Sequence, residues 1–127
     1  QLDLTANQIV DLAVLAAEPA LTTLLLARNR TLKGDIGVLA PLVNLTLLDL
    51  SRTNVGGDVR GLRALKNLTQ LSLSDTSVRG DVGGLAALKN LNRLGLQRTQ
   101  VSGDVGGLKT LTNLSELGIS ACVTGEV

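Results

Sequence analysis

The sequence predicts an α/β solenoid of stacked repeats, with a parallel β-sheet on one side and short 3₁₀ or α turns on the other. Three observations lead to this fold class. The triplet Leu-x-Leu recurs along the chain, the triplet Gly-Asp-Val/Ile recurs in step with it, and Leu supplies nearly all the large apolar volume because Phe, Trp, Tyr and Met are absent. A core made of one side chain is unusual for a compact domain, which mixes sizes to fill space, but it suits a repeat array.

The two markers share one spacing. Leu-x-Leu triplets lie at 24–26, 48–50, 71–73 and 94–96, with related triplets at 2–4 and 117–119. Gly-Asp-Val/Ile begins at Gly34, Gly57, Gly80 and Gly103, in steps of 23 residues. The interval from Leu24 to Leu48 is 24, so one extra residue lies between Leu26 and Gly34, near 30–31.

Each repeat is expected to contain a strand, a turn and a tight helical return. Leu94-Gly95-Leu96 alternates with period two, which suits a strand with one buried face. Gly103 and the glycines that follow it let the chain turn. Apolar residues then come three apart, at Val105, Leu108 and Leu111, a spacing that favours a 3₁₀ helix. No repeat can bury its leucines alone, so neighbouring repeats are required.

The aligned unit reads L-x-x-L-x-L-x-x-T-x-V-x-G-D-V-x-G-L-x-x-L-x-N, most clearly over residues 91–113. This pattern resembles the leucine-rich repeat family over essentially the whole chain. Residues 94–101 match the family's L-x-L-x-x-N-x-L core, and Gly103-Asp104-Val105 is similar to the G-x-I-P element of the plant-type subclass, without its Pro. The resemblance implies a right-handed solenoid with the sheet on the concave side and the turns on the convex side.

One leucine-rich repeat domain is expected over residues 1–127, with about five repeats of 23–24 residues. Repeat arrays end in caps with a polar outer face, and neither end of the sequence carries such a cap. We therefore expect an interior slice of a longer array. The poorest copy lies at residues 5–20, where Glu18 stands at a position that Leu occupies elsewhere.

A small polar side chain follows each second leucine of the triplet by three residues. It is Asn7, Asn29, Thr53, Thr76, Thr99 and, by the same spacing, Cys122. The resemblance implies that this column bonds to loop backbone between adjacent coils, and Thr retains one donor and two acceptor sites for that purpose. Free Cys is usually buried, so Cys122 is expected to be a small buried residue, with a reactive thiol as the alternative.

The composition excludes most catalytic chemistry. Without His there is no Ser-His-Asp triad, Cys-His pair or imidazole metal ligand, and one Cys cannot form an internal disulfide. The absence of aromatic residues and a net charge of +1 argue against a nucleic-acid partner. No apolar run approaches the roughly 20 residues of a membrane span. We expect no enzyme activity, no catalytic, cofactor or metal site and no direct membrane span; compartment and oligomeric state stay open.

The outward-facing positions of the sheet form the candidate partner-binding surface. Concave sheets of solenoids are extended binding surfaces, and of the residue types favoured at hot spots only Arg is present. The candidates are the column Arg28, Arg52 and Arg98, the strand residue Arg93, and the apolar pair Leu25 and Leu47. Because Arg forms paired hydrogen bonds with carboxylates, these residues favour an acidic protein partner. The alternative is that they are ordinary solvated residues.

The predicted function is therefore a non-catalytic module for protein–protein interaction or scaffolding. The first alternative is an architectural subunit packed within a larger protein complex, membrane-associated complexes included. A second alternative, surface or ice binding, needs an exposed uniform ladder, whereas the Thr column is expected to face inward.

Two further columns have structural explanations. Asp35, Asp58, Asp81 and Asp104 recur once per coil; we expect turn aspartates that bond to nearby backbone, since one carboxylate per coil provides too few ligands for calcium.

Candidate glycosylation sites are Asn44, Asn67 and Asn113, which begin N-x-S/T triplets at one repeat position. The equivalent Asn90 lacks the hydroxyl partner, so we expect this Asn to cap the helical turn instead. A further triplet at Asn29 is expected to be inaccessible.

Overall fold

The computed structural model describes residues 2–6 and 11–125. Over these ranges the chain forms eleven β-strands and five 3₁₀ helices, η1–η5. In chain order they are β1 Leu2–Asp3, η1 Leu12–Ala17, β2 Thr23–Leu25, β3 Lys33–Asp35, η2 Ile36–Leu39, β4 Leu47–Asp49, β5 Asn54–Asp58, η3 Val59–Leu62, β6 Gln70–Ser72, β7 Ser77–Asp81, η4 Val82–Leu85, β8 Arg93–Gly95, β9 Gln100–Asp104, η5 Val105–Leu108, β10 Glu116–Gly118 and β11 Val123–Thr124. We name coils 1 to 5 after the helices η1 to η5 that they contain.

The strands form two parallel sheets that run the length of the solenoid. The concave sheet has the order β1-β2-β4-β6-β8-β10, and the lateral sheet has the order β11-β9-β7-β5-β3. In the concave sheet Leu24 pairs with Leu48, Leu48 with Leu71, and Leu71 with Leu94. Equivalent leucines therefore lie side by side, which confirms the predicted repeat register.

The leucine ladders form the core. Both leucines of each triplet in coils 2 to 5 are buried, and the apolar residues that come three apart in the helical returns, such as Ile36, Leu39 and Leu42, are buried with them. Leu96, for example, has no exposed surface. The helices contact one another from coil to coil, so every coil contributes to a continuous apolar interior, as expected for a repeat array.

The lateral sheet was not predicted. The segments with Gly-Asp-Val were interpreted as turns, because glycine usually marks a turn. In the structure Val55, Val78 and Val101 are buried, and β-branched side chains favour a strand when one face is covered. Each segment therefore extends and pairs with its counterpart in the next coil, for example Gly57 with Val78.

Each aspartate of the recurring column caps the 3₁₀ helix that follows it. Asp81 Oδ1 accepts the Gly83 amide at 2.7 Å, and Asp104 Oδ1 accepts the Gly106 amide at the same distance. The capping carboxylate also packs against the next coil: Gly103 has φ +102°, and a Cβ placed there would lie 2.8 Å from Asp81 Oδ2. The sequence predicted a backbone-bonded aspartate, and this contact explains why a glycine recurs at the equivalent place in the next coil.

The prediction that Cys122 is buried is wrong. Cys122 is exposed, and Ser120 is buried in its stead, with its hydroxyl donating to the Val101 carbonyl at 2.5 Å. The cause is a deletion: Gly125 follows Gly103 by 22 residues, and Val123 pairs with Gly103. The spacing of 23 therefore does not extend to this last segment.

The last Leu-x-Leu copy lies on β10, the edge strand of the concave sheet, where Leu117 still pairs with Leu94. Ile119 is 37% exposed and Leu117 only partly buried, whereas both had been aligned with ladder leucines. Ser120, which follows β10, is buried. No helix among the described residues is long and apolar enough to cross a membrane.

Candidate functional site on the concave face

The column of predicted arginines begins directly after the strands of the concave sheet. Arg28, Arg52, Asp75 and Arg98 all have positive φ, between 55° and 65°. This conformation is unfavourable for residues other than glycine, but the amides compensate by bonding to the next coil. The Arg28 amide donates to the Ser51 carbonyl at 2.9 Å, and the Arg52 amide does the same to Ser74. The backbone therefore aligns these side chains in one column.

Arg98 is not a free cation. Its Nε lies 2.5 Å from Asp75 Oδ1 and its Nη2 lies 2.8 Å from Asp75 Oδ2, which is a bidentate pair. The hydrogen bond from Arg98 lowers the pKa of Asp75, and the pair raises the pKa of Arg98. Asp75 stands at the position of coil 4 that arginine occupies in coils 2, 3 and 5. The 23-residue spacing between the two residues, which puts them at one position of adjacent coils, was the signal for this pair.

Arg93 also has an acidic neighbour on the next strand. Its Nε lies 3.5 Å from Glu116 Oε1, and both side chains are largely exposed. An exposed pair of this kind is worth little, so Arg93 can exchange Glu116 for another carboxylate. Arg28 and Arg52 are exposed and form no ion pair within residues 2–6 and 11–125. The arginines of the column that are free of a direct ion pair thus lie on coils 2 and 3, although the charge of Arg52 also helps to lower the pKa of Asp75 on the next coil.

Two shallow grooves cross the concave side. One, of about 650 Å³, runs beneath the column and is lined by Leu25, Arg28, Arg52 and the Ser51 and Asp49 side chains. Asp49 Oδ1 accepts the Ser51 hydroxyl at 2.7 Å, so this carboxylate is already held.

The other groove, of about 610 Å³, crosses β4 to β10 and includes Leu47. Its floor lacks side chains at Gly95 and Gly118, and the Gln97 amide occupies the space above Gly118. Ser74 Oγ donates to Gln97 Oε1 at 2.6 Å and fixes this amide. Sequence reasoning did not single out Gln97; its position two residues after a concave glycine was the available signal.

Comparison with solved structures identifies the architecture. A plant peptide hormone receptor, RGFR1 in complex with RGF2, matches 99% of this chain with a TM-score of 0.86 and 29% identity. An internalin C2 from Listeria monocytogenes matches 96% with a TM-score of 0.83 and 27% identity, and the Arabidopsis receptor kinase HAESA ectodomain matches 98% with a TM-score of 0.82 and 27% identity. The chain is a leucine-rich repeat protein.

The chain spans only part of these relatives: 21% of the RGFR1 chain, 22% of the HAESA chain and 52% of the internalin chain. No protein-family model matches the chain, and no curated protein matches it significantly. The leucine-rich repeat assignment therefore rests on the repeat pattern, the parallel sheets and the superposition on solved structures.

The polar column of this leucine-rich repeat protein is buried, but Thr and Asn act differently in it. Asn29 Nδ2 donates to the Leu26 carbonyl at 2.7 Å and to the Leu4 carbonyl of the preceding coil at 2.8 Å. Thr53 donates only to the Leu50 carbonyl of its own coil, at 2.7 Å. The expected bond between coils is therefore made by Asn and not by Thr. Because Thr53, Thr76 and Thr99 are at most 8% exposed, they provide no ladder for surface or ice binding.

The candidate glycosylation sites Asn44, Asn67 and Asn113 are exposed on the leucine-rich repeat turns, and Asn29 is fully buried, as expected. Asn44 Nδ2 donates to the Pro19 carbonyl, and Asn67 Nδ2 to the Val43 carbonyl, each at 3.1 Å. This Asn therefore connects adjacent coils and does not cap the helical turn, a position that the aspartate column occupies.

Proposed function

We propose that this chain is a non-catalytic recognition module that binds an acidic segment of a protein partner along its concave face. The observation that carries the proposal is the juxtaposition of two exposed, unpaired guanidinium groups, Arg28 and Arg52, with a continuous groove beside them. Two solved relatives support this class of function, since one is recorded in complex with RGF2 and another with an IDA peptide hormone ligand.

The two arginines suit a carboxylate-bearing ligand. They occupy equivalent positions of adjacent coils, and coils joined by parallel strands are about 4.8 Å apart. Guanidinium groups at that separation can bind successive carboxylates, or one carboxylate from two sides. Leu25 lies in the same groove and offers an apolar contact next to the charges. Arg93 and Arg98 take a secondary role, because each must first release its own acidic partner.

The second groove would accommodate the remainder of the ligand. Because Gly95 and Gly118 carry no side chains, the Gln97 amide and the Ser74 hydroxyl lie directly over the sheet backbone at the floor of this groove. Gln97 and Ser74 supply an amide and a hydroxyl that can bond to peptide groups. The function is binding alone: Cys122, which holds the only thiol of the chain, lines neither groove.

Peptides selected from a display library of random linear sequences against the chain test the proposal. We expect acidic sequences, whose affinity falls about 100-fold in the Arg28→Glu/Arg52→Glu variant because two charge-assisted contacts become repulsive. The matched control, Lys89→Glu/Lys109→Glu, makes the same change of charge on the convex side and should leave the affinity within about twofold.

A variant that blocks the groove sterically tests where the site lies, independently of whether the site prefers acidic peptides. Gly95→Trp fills the second groove and should weaken every selected peptide, while providing the only fluorophore in a chain without aromatic residues. Peptides that bind Gly95→Trp normally but lose affinity for the Lys89→Glu/Lys109→Glu variant would place recognition on the convex side and contradict the proposal. If Gly95→Trp loses binding but Arg28→Glu/Arg52→Glu does not, the binding site lies on the concave face but does not select an acidic partner.

A further inference from the structure

The convex turns of coils 1 and 2 carry an exposed apolar surface, which we name the convex patch. Its largest members are Val14, 70% exposed, and Val43, 46% exposed; within the described ranges the only other exposed large apolar side chain is Ile119. Smaller exposed apolar residues complete the patch: Ala13, Ala17, Pro19 and Pro41. The concave recognition site does not use this surface, which lies on the opposite side of the coils.

The patch continues into a charged region in strict register. Asn67 Nδ2 donates to the Val43 carbonyl and Asn90 Nδ2 donates to the Lys66 carbonyl. These equivalent bonds place Val43 and Lys66 at the same position of adjacent coils. Because η1 contacts η2 and η2 contacts η3, the turns of coils 1, 2 and 3 form three consecutive rows of one surface.

Charge is distributed unequally over these three rows. After its capping aspartate, the turn of coil 1 carries one acidic residue, Glu18, and no basic residue. The turn of coil 2 has no charge after its cap, and the turn of coil 3 carries Arg60, Arg63 and Lys66 after its cap. Within the described part of the chain, Glu18, Arg63 and Lys66 form no ion pair. An apolar row with one acidic residue, an uncharged apolar row and a basic row therefore follow one another along the solenoid.

We propose that the convex patch binds a second copy of this chain in an antiparallel, two-fold dimer. A two-fold axis that lies across coil 2 puts the apolar row of one copy on the apolar row of the other, with Val43 facing its own counterpart. The same operation brings coil 1 onto coil 3, so that Glu18 of each copy faces Lys66 and Arg63 of the other. Such an interface is self-complementary, as two-fold symmetry requires.

The charges select this arrangement over its rivals. A parallel dimer would put the basic row of coil 3 on its own copy, which is repulsive. An anionic membrane is disfavoured because Glu18 lies within the patch and the chain has no Trp, Tyr or Phe to anchor at a lipid interface. Three coils span only about 15 Å at a strand spacing of about 4.8 Å. The area that they can bury is therefore smaller than that of a standard stable interface. The dimer is therefore weak and reversible.

Charge exchange in the complete 127-residue chain tests the dimer by sedimentation over a range of protein concentrations. Glu18→Lys alone and Lys66→Glu alone should each weaken self-association at least tenfold, because each replaces two attractive contacts by repulsion. The combined Glu18→Lys/Lys66→Glu variant exchanges the charges and should restore association to within about threefold. Both side chains are exposed, and circular dichroism verifies that each variant is folded.

A cross-link tests the position of the two-fold axis. In a Cys122→Ser background, Val43→Cys should be joined to its counterpart by a short bismaleimide at least tenfold faster than Lys89→Cys, which lies two coils further along and faces no coil of the second copy. Adding Glu18→Lys should slow the Val43→Cys reaction, and adding Lys66→Glu as well should restore it.

Three results would overturn the dimer: a monomer at all concentrations, self-association that ignores the charge at position 18, or a double variant that behaves like the single ones. Association through the ends of the solenoid would give self-association that does not depend on the charge at position 18. The concave site is independent of this test, since peptide binding by Arg28 and Arg52 uses the other face.

Discussion

Truncation of one ladder leucine measures how strongly the stacked coils depend on their common core. Leu96 has no exposed surface and lies between the equivalent positions of the neighbouring coils. Leu96→Ala removes three buried carbons and leaves a cavity, which costs about 2–5 kcal/mol. We expect the upper half of this range, because Leu73 at the equivalent position of the preceding coil already fills its own place in the core and is no longer than the side chain that is removed.

Urea unfolding followed by far-ultraviolet circular dichroism is the suitable assay, since the chain contains no aromatic fluorophore. With a slope of about 2 kcal/mol per molar urea, the midpoint of Leu96→Ala should fall by about 1.75–2.5 M. Gln97→Ala is the control at the next residue of the chain, just after β8. It loses one exposed hydrogen bond with Ser74 and should lower the free energy of unfolding by less than about 1 kcal/mol. Equal losses at the two positions would refute the assigned strand register.

Three further changes probe other features. Gly103→Ala should destabilise the protein by about 1–3 kcal/mol in the same assay, because its φ is positive and its Cβ would meet a capping carboxylate; Gly56→Ala, with ordinary contacts and no positive φ, should be within about 1 kcal/mol of neutral. The pKa of Asp75 is lowered by Arg98. The stability that the ionised Asp75 carboxylate contributes is therefore complete above about pH 5 and is lost as the pH falls through the lowered pKa. A carbon-13 titration should show a higher pKa for Asp75 in the Arg98→Gln variant. Cys122 is exposed and should react with a thiol reagent in the folded protein at nearly the rate of a free thiol, and a protected thiol would contradict the described last coil.

The repeat register could be predicted because it depends on burial alone. Leu24 and Leu48 had to face inward in any solenoid of this period, and the structure confirms it. The lateral sheet could not be predicted from the Gly-rich segments, because Val55 becomes a strand residue only when a neighbouring coil pairs with it, here through Gly34. Cys122 was misplaced because a fixed period cannot reveal a deleted residue; the 22-residue interval to Gly125 does.

The candidate site was predicted as a surface but not as a set of contacts. Sequence periodicity placed Arg28, Arg52 and Arg98 in one column, and the structure places them there. Which of them is available depends on side-chain geometry: Arg98 reaches Asp75 on the neighbouring coil, while Arg28 finds no acidic residue at the equivalent position. Periodicity shows which residues are neighbours, and only the three-dimensional structure shows which neighbours are in contact.

The contact between each capping aspartate and the glycine of the next coil determines how such an array can grow. A duplicated coil brings both its own Asp for the following joint and its own Gly for the preceding one, so whole units can be added or lost without any joint being redesigned. Length variation within a unit must avoid that joint. Both irregular units obey this restriction: the extra residue near 30–31 and the missing residue before Val123 lie between the end of the concave strand and the glycine. Insertions, natural or engineered, should therefore be tolerated in that segment and rejected within the adjacent Gly-Asp pair, whose glycine contacts the preceding coil and whose aspartate contacts the following one.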